Sequence, residues 1–290
     1  MEGFLQQIST GLAAGGIYAS LALALVMIYR STHHLNFAQG EMATFSTFLA
    51  ATLLQLGWGY WTVFLVVIGA SFAMGVGIQR LLLERLEMAS PLTKVIAFIG
   101  LMLLFNGLSG WLFGYSVQSF PSPFESRGTE SSRFISEHEL GVIGIVAICM
   151  LLLFAFFRYT SLGLALRATA LNPESARLVS IRVSSMLGIG WGLAAAIGAV
   201  SGMMVAPTVF LDPSMMSGIL IYGFAAALLG GIDNPSGAVA GGFMVGVAEN
   251  LLGAYVIGPD LKLTVALGLI IGVLTLKPDG LFGQKVVVRV

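Results

Sequence analysis

"LGVIGIVAICMLLLFAFF", Leu140–Phe157, carries no charged residue and no proline, and its reading decides the fold. A helix needs about 20 mainly apolar residues to cross a hydrocarbon core about 30 Å thick, and this run approaches that length. Outward from it, comparable runs give candidate spans near 7–29, 40–57, 60–80, 94–115, 140–157, 185–206, 216–232, 237–257 and 261–276. The chain of 290 residues is 57% hydrophobic and 10% charged, whereas a soluble domain carries about 25% charged residues. The expected fold is all-α: a polytopic transmembrane helical bundle of about eight to ten membrane segments, forming one domain over residues 1–290. A membrane β-barrel would show short segments of alternating apolar and polar residues, and no such pattern occurs. The spans at 40–57 and 216–232 are short and rich in Gly, Thr or Ser, which leaves a broken or re-entrant segment open at either.

Lys and Arg in short loops stay on the cytoplasmic side. Alternating the nine spans puts Arg30, Arg80, Arg85, Lys94, Arg158, Arg167, Arg177, Arg182, Lys277, Lys285 and Arg289 on one side, and only Arg127, Arg133 and Lys262 on the other. The first side is therefore expected to be cytoplasmic, with the N-terminus outside and the C-terminus inside. The N-terminus lacks the basic region and cleavage site of a secretory signal, so the first apolar segment is expected to be retained.

Two loops stand out. The external one, 116–139, is rich in Ser, Pro and Glu and reads either as a solvated connection or as a docking surface. The internal one, 158–185, contains helix punctuation: Asn172 suits an N-cap, Pro173 the first helical position, and Glu174 the positive end of the helix dipole. From there Ala176, Leu178, Val179 and Ile181 alternate with Glu174, Ser175, Arg177 and Ser180, which predicts an amphipathic helix of about two turns. A helix so short is marginal alone and needs a surface to lie against, a protein partner more than lipid.

The 37 glycines include pairs at four-residue spacing: Gly11/Gly15, Gly110/Gly114, Gly188/Gly192, Gly198/Gly202, Gly237/Gly241, Gly242/Gly246 and Gly268/Gly272. Small residues so spaced let membrane helices approach closely, and they are read as internal packing.

Several chemistries are missing from the sequence. It has no G-x-x-x-x-G-K-[ST] phosphate cradle, no H-E-x-x-H helix and no G-x-S-x-G elbow. His33, His34 and His138 fall in predicted loops, and the lone Cys149 has no thiol to pair with. Basic and acidic residues number 14 each, so there is no basic face for nucleic acid. No cofactor, metal or catalytic residue is expected. Ionisable groups within or near the spans are few, chiefly Glu41 and Glu249, with Asp212, Asp233 and Asp260 at edges. Carriers driven by protons or sodium usually place carboxylates in midspan.

In "RSTHHLNFAQGEMATF", Arg30–Phe45, the first residues read as a turn, whereas Asn36, Gln39, Gly40 and Glu41 open the next span. Two readings stay open for them. Asn36 caps backbone N–H groups while Glu41 meets the helix dipole, or the helix start borders a substrate path and offers N–H groups to a carboxylate.

"GGIYASLALALVMIYRSTHHLNFAQGEM", Gly15–Met42, resembles the opening of the permease subunits of branched-chain amino acid ABC transporters. "LGLALRATALNPESARLVSIRVSSMLGIGWGLAAAIGAVSG", "LLGGIDNPSGAVAGGFMVGVAENL" and the terminal "KPDGLFG" are similar to later stretches of that family, in order, so the resemblance covers nearly the whole chain. It implies an inner-membrane permease forming half of a path for branched-chain or other neutral amino acids. The implied partners are a second related permease, two cytoplasmic ATP-binding subunits and a periplasmic substrate-binding protein. It also implies that Arg167, Asn172, Pro173, Glu174, Ala176, Arg177 and Leu178 couple to the ATPase. Related carriers take urea or short amides, and a stand-alone secondary transporter or channel, with "NFAQGE" and "DNPSGA" as binding breaks, is the rival of another class. The candidate path residues are Asn36, Gln39, Gly40, Glu41 and Glu249.

Overall fold

The structure is a computed structural model that describes residues 2–32, 35–86, 89–124, 136–258 and 261–283. His33, His34, Asp260, Lys285, Arg289 and the acidic and basic residues of 125–135, the middle of the external loop, lie outside the described residues.

Most of the described chain is helical: α1 (Glu2–Thr32), α2 (Gln39–Gln55), α3 (Tyr60–Ile78), α4 (Pro91–Phe113), α5 (Glu137–Tyr159), α6 (Ser161–Leu171), α7 (Pro173–Leu178), α8 (Val183–Val209), α9 (Met215–Gly230), α10 (Pro235–Leu252) and α11 (Lys262–Leu276). Each of the nine predicted spans is found as a helix, and α2 and α9 are continuous rather than broken. Six helical stretches among the described residues are long and apolar enough to cross a membrane. Helices α2, α9 and α11, of 17, 16 and 15 residues, reach only about 22–26 Å at 1.5 Å per residue. The protein is a multi-pass membrane protein.

Local chemistry sets the helix starts. Ser90, Asn172 and Asn234 each accept the N–H of the third residue on, and each precedes a proline at the first helical position. Their side chains supply an acceptor that the helix lacks, where proline has no N–H to leave unpaired. Ser136 and Glu139 form a reciprocal capping box before α5. His138 is therefore not in a loop as expected: it sits buried in the first turn of α5, beside the Phe124 ring. Cys149 lies half-buried in the same helix.

The chain divides into two compact units. One comprises residues 1–26, 124–147 and 218–290, the other 27–123 and 148–217. In the first unit α1 and α10 meet through glycine. A Cβ on Gly15 would stand 2.7 Å from the Phe243 Cα, one on Gly11 would stand 2.8 Å from the Val247 Cα, and one on Gly246 would collide with Gly11 and Gly15. The core beside this seam gathers Tyr18, Ala22 and Val26 of α1, Ala225–Ala227 of α9, Ala238 and Val245 of α10, and Ala266 of α11. The tail returns to the turn between α9 and α10. Leu281 and Phe282 donate backbone N–H groups to Leu229 and Gly230 at 2.8 and 3.2 Å, and Asn234 donates to the Phe282 carbonyl at 2.9 Å. Gly231 (φ 106°) and Gly280 (φ 78°) meet there, in backbone that other residues adopt only under strain.

In the second unit the buried helix α8 packs against α3 and α2. Gly75 of α3 rests on the Trp191 backbone, and Gly202 of α8 rests on Ala43 and Thr47 of α2. Not every glycine pair works this way. Gly268 and Gly272 have nothing within 4 Å of the Cβ position, and Gly114 is a helix-ending residue with φ 86°.

Candidate functional site

The polar stretch that leads into α2 and forms its first turn is buried: Asn36, Gln39, Gly40 and Glu41 are all inaccessible or nearly so. Asn36 does not cap α2. Its Oδ1 accepts from the Ala38 N–H at 3.0 Å, closing a turn before the helix, and its Nδ2 donates to Gln39 Oε1 at 3.3 Å. The N-cap position belongs to Ala38, which offers no side-chain acceptor. Gln39 donates from Nε2 to the Ala194 carbonyl of α8 at 3.0 Å, where Gly198 leaves room for the amide. The start of α2 is thus anchored to α8 by a side chain, and its first N–H groups have no side-chain cap.

Glu41 faces two neutral donors rather than serving its own helix. Asn106 of α4 donates to Oε2 at 3.2 Å and Ser217 of α9 donates to Oε1 at 3.1 Å. Asn106 also donates to the Pro213 carbonyl at 3.0 Å, so one amide ties α2, α4 and the turn into α9 together. A carboxylate offers about four acceptor positions, which leaves each oxygen capacity for a further donor. Burial of such a group is costly unless it is bonded and paired. The arrangement suits a carboxylate that meets a cationic group.

Glu249 belongs to the other compact unit and has its own partners. Tyr18 of α1 donates its hydroxyl to Glu249 Oε2 at 2.7 Å, and Tyr222 stacks on Tyr18 with ring centroids 4.6 Å apart. Next to it, Lys262 Nζ donates to Asn250 Oδ1 at 2.8 Å.

The segment 158–185 forms two helices where one was expected. Thr160 caps α6 by accepting from the Gly163 N–H at 3.0 Å. Asn172 ends α6 and caps α7, accepting from the Ser175 N–H at 2.9 Å. At the far end the Ser180 N–H reaches the Arg177 carbonyl and the Ile181 N–H reaches the Ala176 carbonyl, the paired closure of a Schellman turn. Ser180 occupies its left-handed position with φ 63°, where glycine is usual. The predicted apolar face is split: Ala176 is buried, while Leu171, Leu178 and Val179 are 87%, 87% and 69% exposed. Pro173, Glu174 and Arg177 are exposed as well, and Arg167 is half-buried in α6.

Sequence reasoning singled out Glu41 and Glu249 as candidates but not their neighbours Asn106, Ser217, Tyr18 and Tyr222. The signal for Asn106 was its position as a lone amide inside the apolar run "LMLLFNGLSGW"; polar residues within membrane spans are costly and carry a function or a bond.

A family model described as "Branched-chain amino acid transport system / permease component" matches residues 7–274. The chain is 29% identical over 304 residues to the high-affinity branched-chain amino acid transport system permease protein LivH of Escherichia coli (strain K12), covering 99% of this chain and 98% of that protein. It is 30% identical over 303 residues to the corresponding permease protein BraD of Pseudomonas aeruginosa, covering 99% and 98%. With the probable permease protein LivH of Methanocaldococcus jannaschii it shares 31% over 245 residues, covering 81% and 76%. Matched by that family model over nearly its whole length, the chain belongs to the permease components of branched-chain amino acid transport systems.

Proposed function

We propose that this chain is one permease half of an ATP-binding cassette importer for neutral, chiefly branched-chain, amino acids in a bacterial inner membrane. The N-terminus lies outside and the C-terminus in the cytoplasm, as the distribution of Lys and Arg favours. A second related permease completes the path, a periplasmic binding protein delivers substrate, and two cytoplasmic subunits hydrolyse ATP.

One observation carries this reading: α7 is a six-residue helix closed at both ends by side-chain and backbone caps, with every residue but Ala176 exposed. A helix that short does not persist in water without support. Fixed by its caps and by Ala176, it presents Glu174, Arg177 and Leu178, beside Leu171 at the end of α6, as a stiff lever for the ATPase. Movement of that lever on ATP-driven closure shifts the packed spans.

The start of α2 borders the path. The uncapped N–H groups there suit the substrate carboxylate, and the spare acceptor capacity of Glu41 suits its ammonium. Reconstitution into liposomes tests the reading. L-Leucine uptake is expected to need ATP, the ATPase subunits and the binding protein together; leucine flux through the purified chain alone would instead establish a stand-alone carrier.

A further inference from the structure

A cavity in the unit built from residues 27–123 and 148–217 shares no lining residue with the polar start of α2. It encloses about 230 Å³, bounded by the π-helical turn Gln79–Leu83 that continues α3, by α4, α6 and α8, and by Pro173 of α7. Sites for drug-sized ligands span roughly 300–1,000 Å³, so this one is scaled to a smaller molecule. Its body is apolar, with Phe98, Val183 and Leu187 on the wall and Phe98 stacked on Trp191 at 5.9 Å.

Three side chains of that wall are buried with a polar atom left unbonded. Gln79, Thr169 and Trp191 are 3%, 1% and 0% exposed, and Gln79 Oε1, Thr169 Oγ1 and Trp191 Nε1 have no hydrogen-bond partner. Six buried side-chain atoms among the described residues are in that state, and half of them belong to this one lining. Buried polar groups are normally satisfied, so a cluster of exceptions marks a missing bonded group. The set is complementary: the indole N–H only donates, the amide oxygen only accepts, and the hydroxyl does either. Lys94 and Glu84 add one cation and one anion to the lining.

We propose that this cavity binds a neutral amino acid in its zwitterionic form, taken up from the side of the coupling segment. The carboxylate faces Lys94 and the Thr169 hydroxyl, the ammonium faces Gln79 Oε1 and Glu84, and the aliphatic side chain lies on Phe98 and Leu187. Small rotations of the Gln79 amide and the Thr169 hydroxyl bring their atoms to the ligand. The proposal rests on the reading of the chain as a neutral amino acid permease and adds a second site to it. Because the lining joins Thr169, Ala170 and Pro173 of the coupling segment to residues of α4 and α8, an occupied cavity restrains the coupling segment. Imported amino acid then slows its own uptake from inside.

The experiment is equilibrium dialysis of radiolabelled L-leucine against the full-length chain in lipid nanodiscs, without binding protein. Saturable binding is expected, weakened at least about 10-fold by Gln79→Leu and by Thr169→Val, as loss of one bond to a charged group implies. Lys94→Met is expected to weaken L-leucine while leaving L-leucinamide, which lacks the carboxylate, unchanged. Both lining variants remove an unbonded polar atom, so their thermal midpoints are expected to hold or rise. Absent binding, or binding equal in wild type and all three variants, overturns the site. ATP-driven leucine uptake by the complete importer under those same conditions would show that the transport reading stands without it.

Discussion

Asn106 holds Glu41 Oε2 and the Pro213 carbonyl with a single amide, so its loss strands two buried acceptors at once. Asn106→Leu is expected to destabilise the protein by about 1–3 kcal/mol, seen as a lower thermal midpoint in detergent. Glu41→Gln keeps the side-chain volume and one acceptor oxygen while removing the charge. A stable protein whose uptake falls about 10- to 100-fold, the loss of one charged hydrogen bond, is expected; a fall in stability with uptake per folded molecule unchanged would make Glu41 a structural residue only. Glu41 was legible as a candidate because a carboxylate at a span start is expensive wherever it goes. Its partners were not legible, because Asn106 and Ser217 are brought to it by tertiary packing across 65 and 176 residues of sequence. The same limit hid the Asn36 turn: the residue type fits a cap, but only the backbone geometry shows which N–H it takes.

Hydropathy located the helices well because lipid requires backbone hydrogen bonds to be satisfied within each segment. It failed where that requirement relaxes. Helix α6 went unread because Leu162 and Leu164 are exposed while Gly163 and Leu166 are buried, so no apolar stripe marks its inner face. The π-helical turns Gln79–Leu83 and Gly253–Ile257 carry no sequence signature. Helix α7 was legible from its caps, and those caps make it testable. Asn172→Ala is expected to cost about 1 kcal/mol and to loosen coupling, read as ATP hydrolysis per leucine imported. Glu174→Arg combined with Arg177→Glu is expected to leave the chain inserted but to cut uptake while hydrolysis continues, and uptake equal to wild type would remove α7 from the coupling path.

Across the molecule, glycine divides into seats and open positions. Gly246 touches the α1 backbone, whereas Gly268, at the same four-residue spacing from a partner glycine, meets nothing within 4 Å. Gly246→Leu is expected to part α1 from α10 and abolish a monodisperse elution profile, while Gly268→Leu in the isolated chain leaves it intact. Spacing alone could not separate the two, because small residues permit close approach without dictating that a helix takes it. The family motifs were legible as words, and two of them, "DNPSGA" and "KPDGLFG", prove to be bonded to each other through Asn234 and Phe282.

The seam between α1 and α10 also has a clock. Helix α1 ends at Thr32 and its seat begins at Pro235, so at about 5–20 residues per second the ribosome needs roughly 10–40 s to supply one to the other. For that interval the glycine face of the first helix waits in the bilayer against lipid or the insertion machinery. Its permanent neighbour arrives only after that interval, and the strap at Leu281 and Phe282 that closes the same unit must come later still.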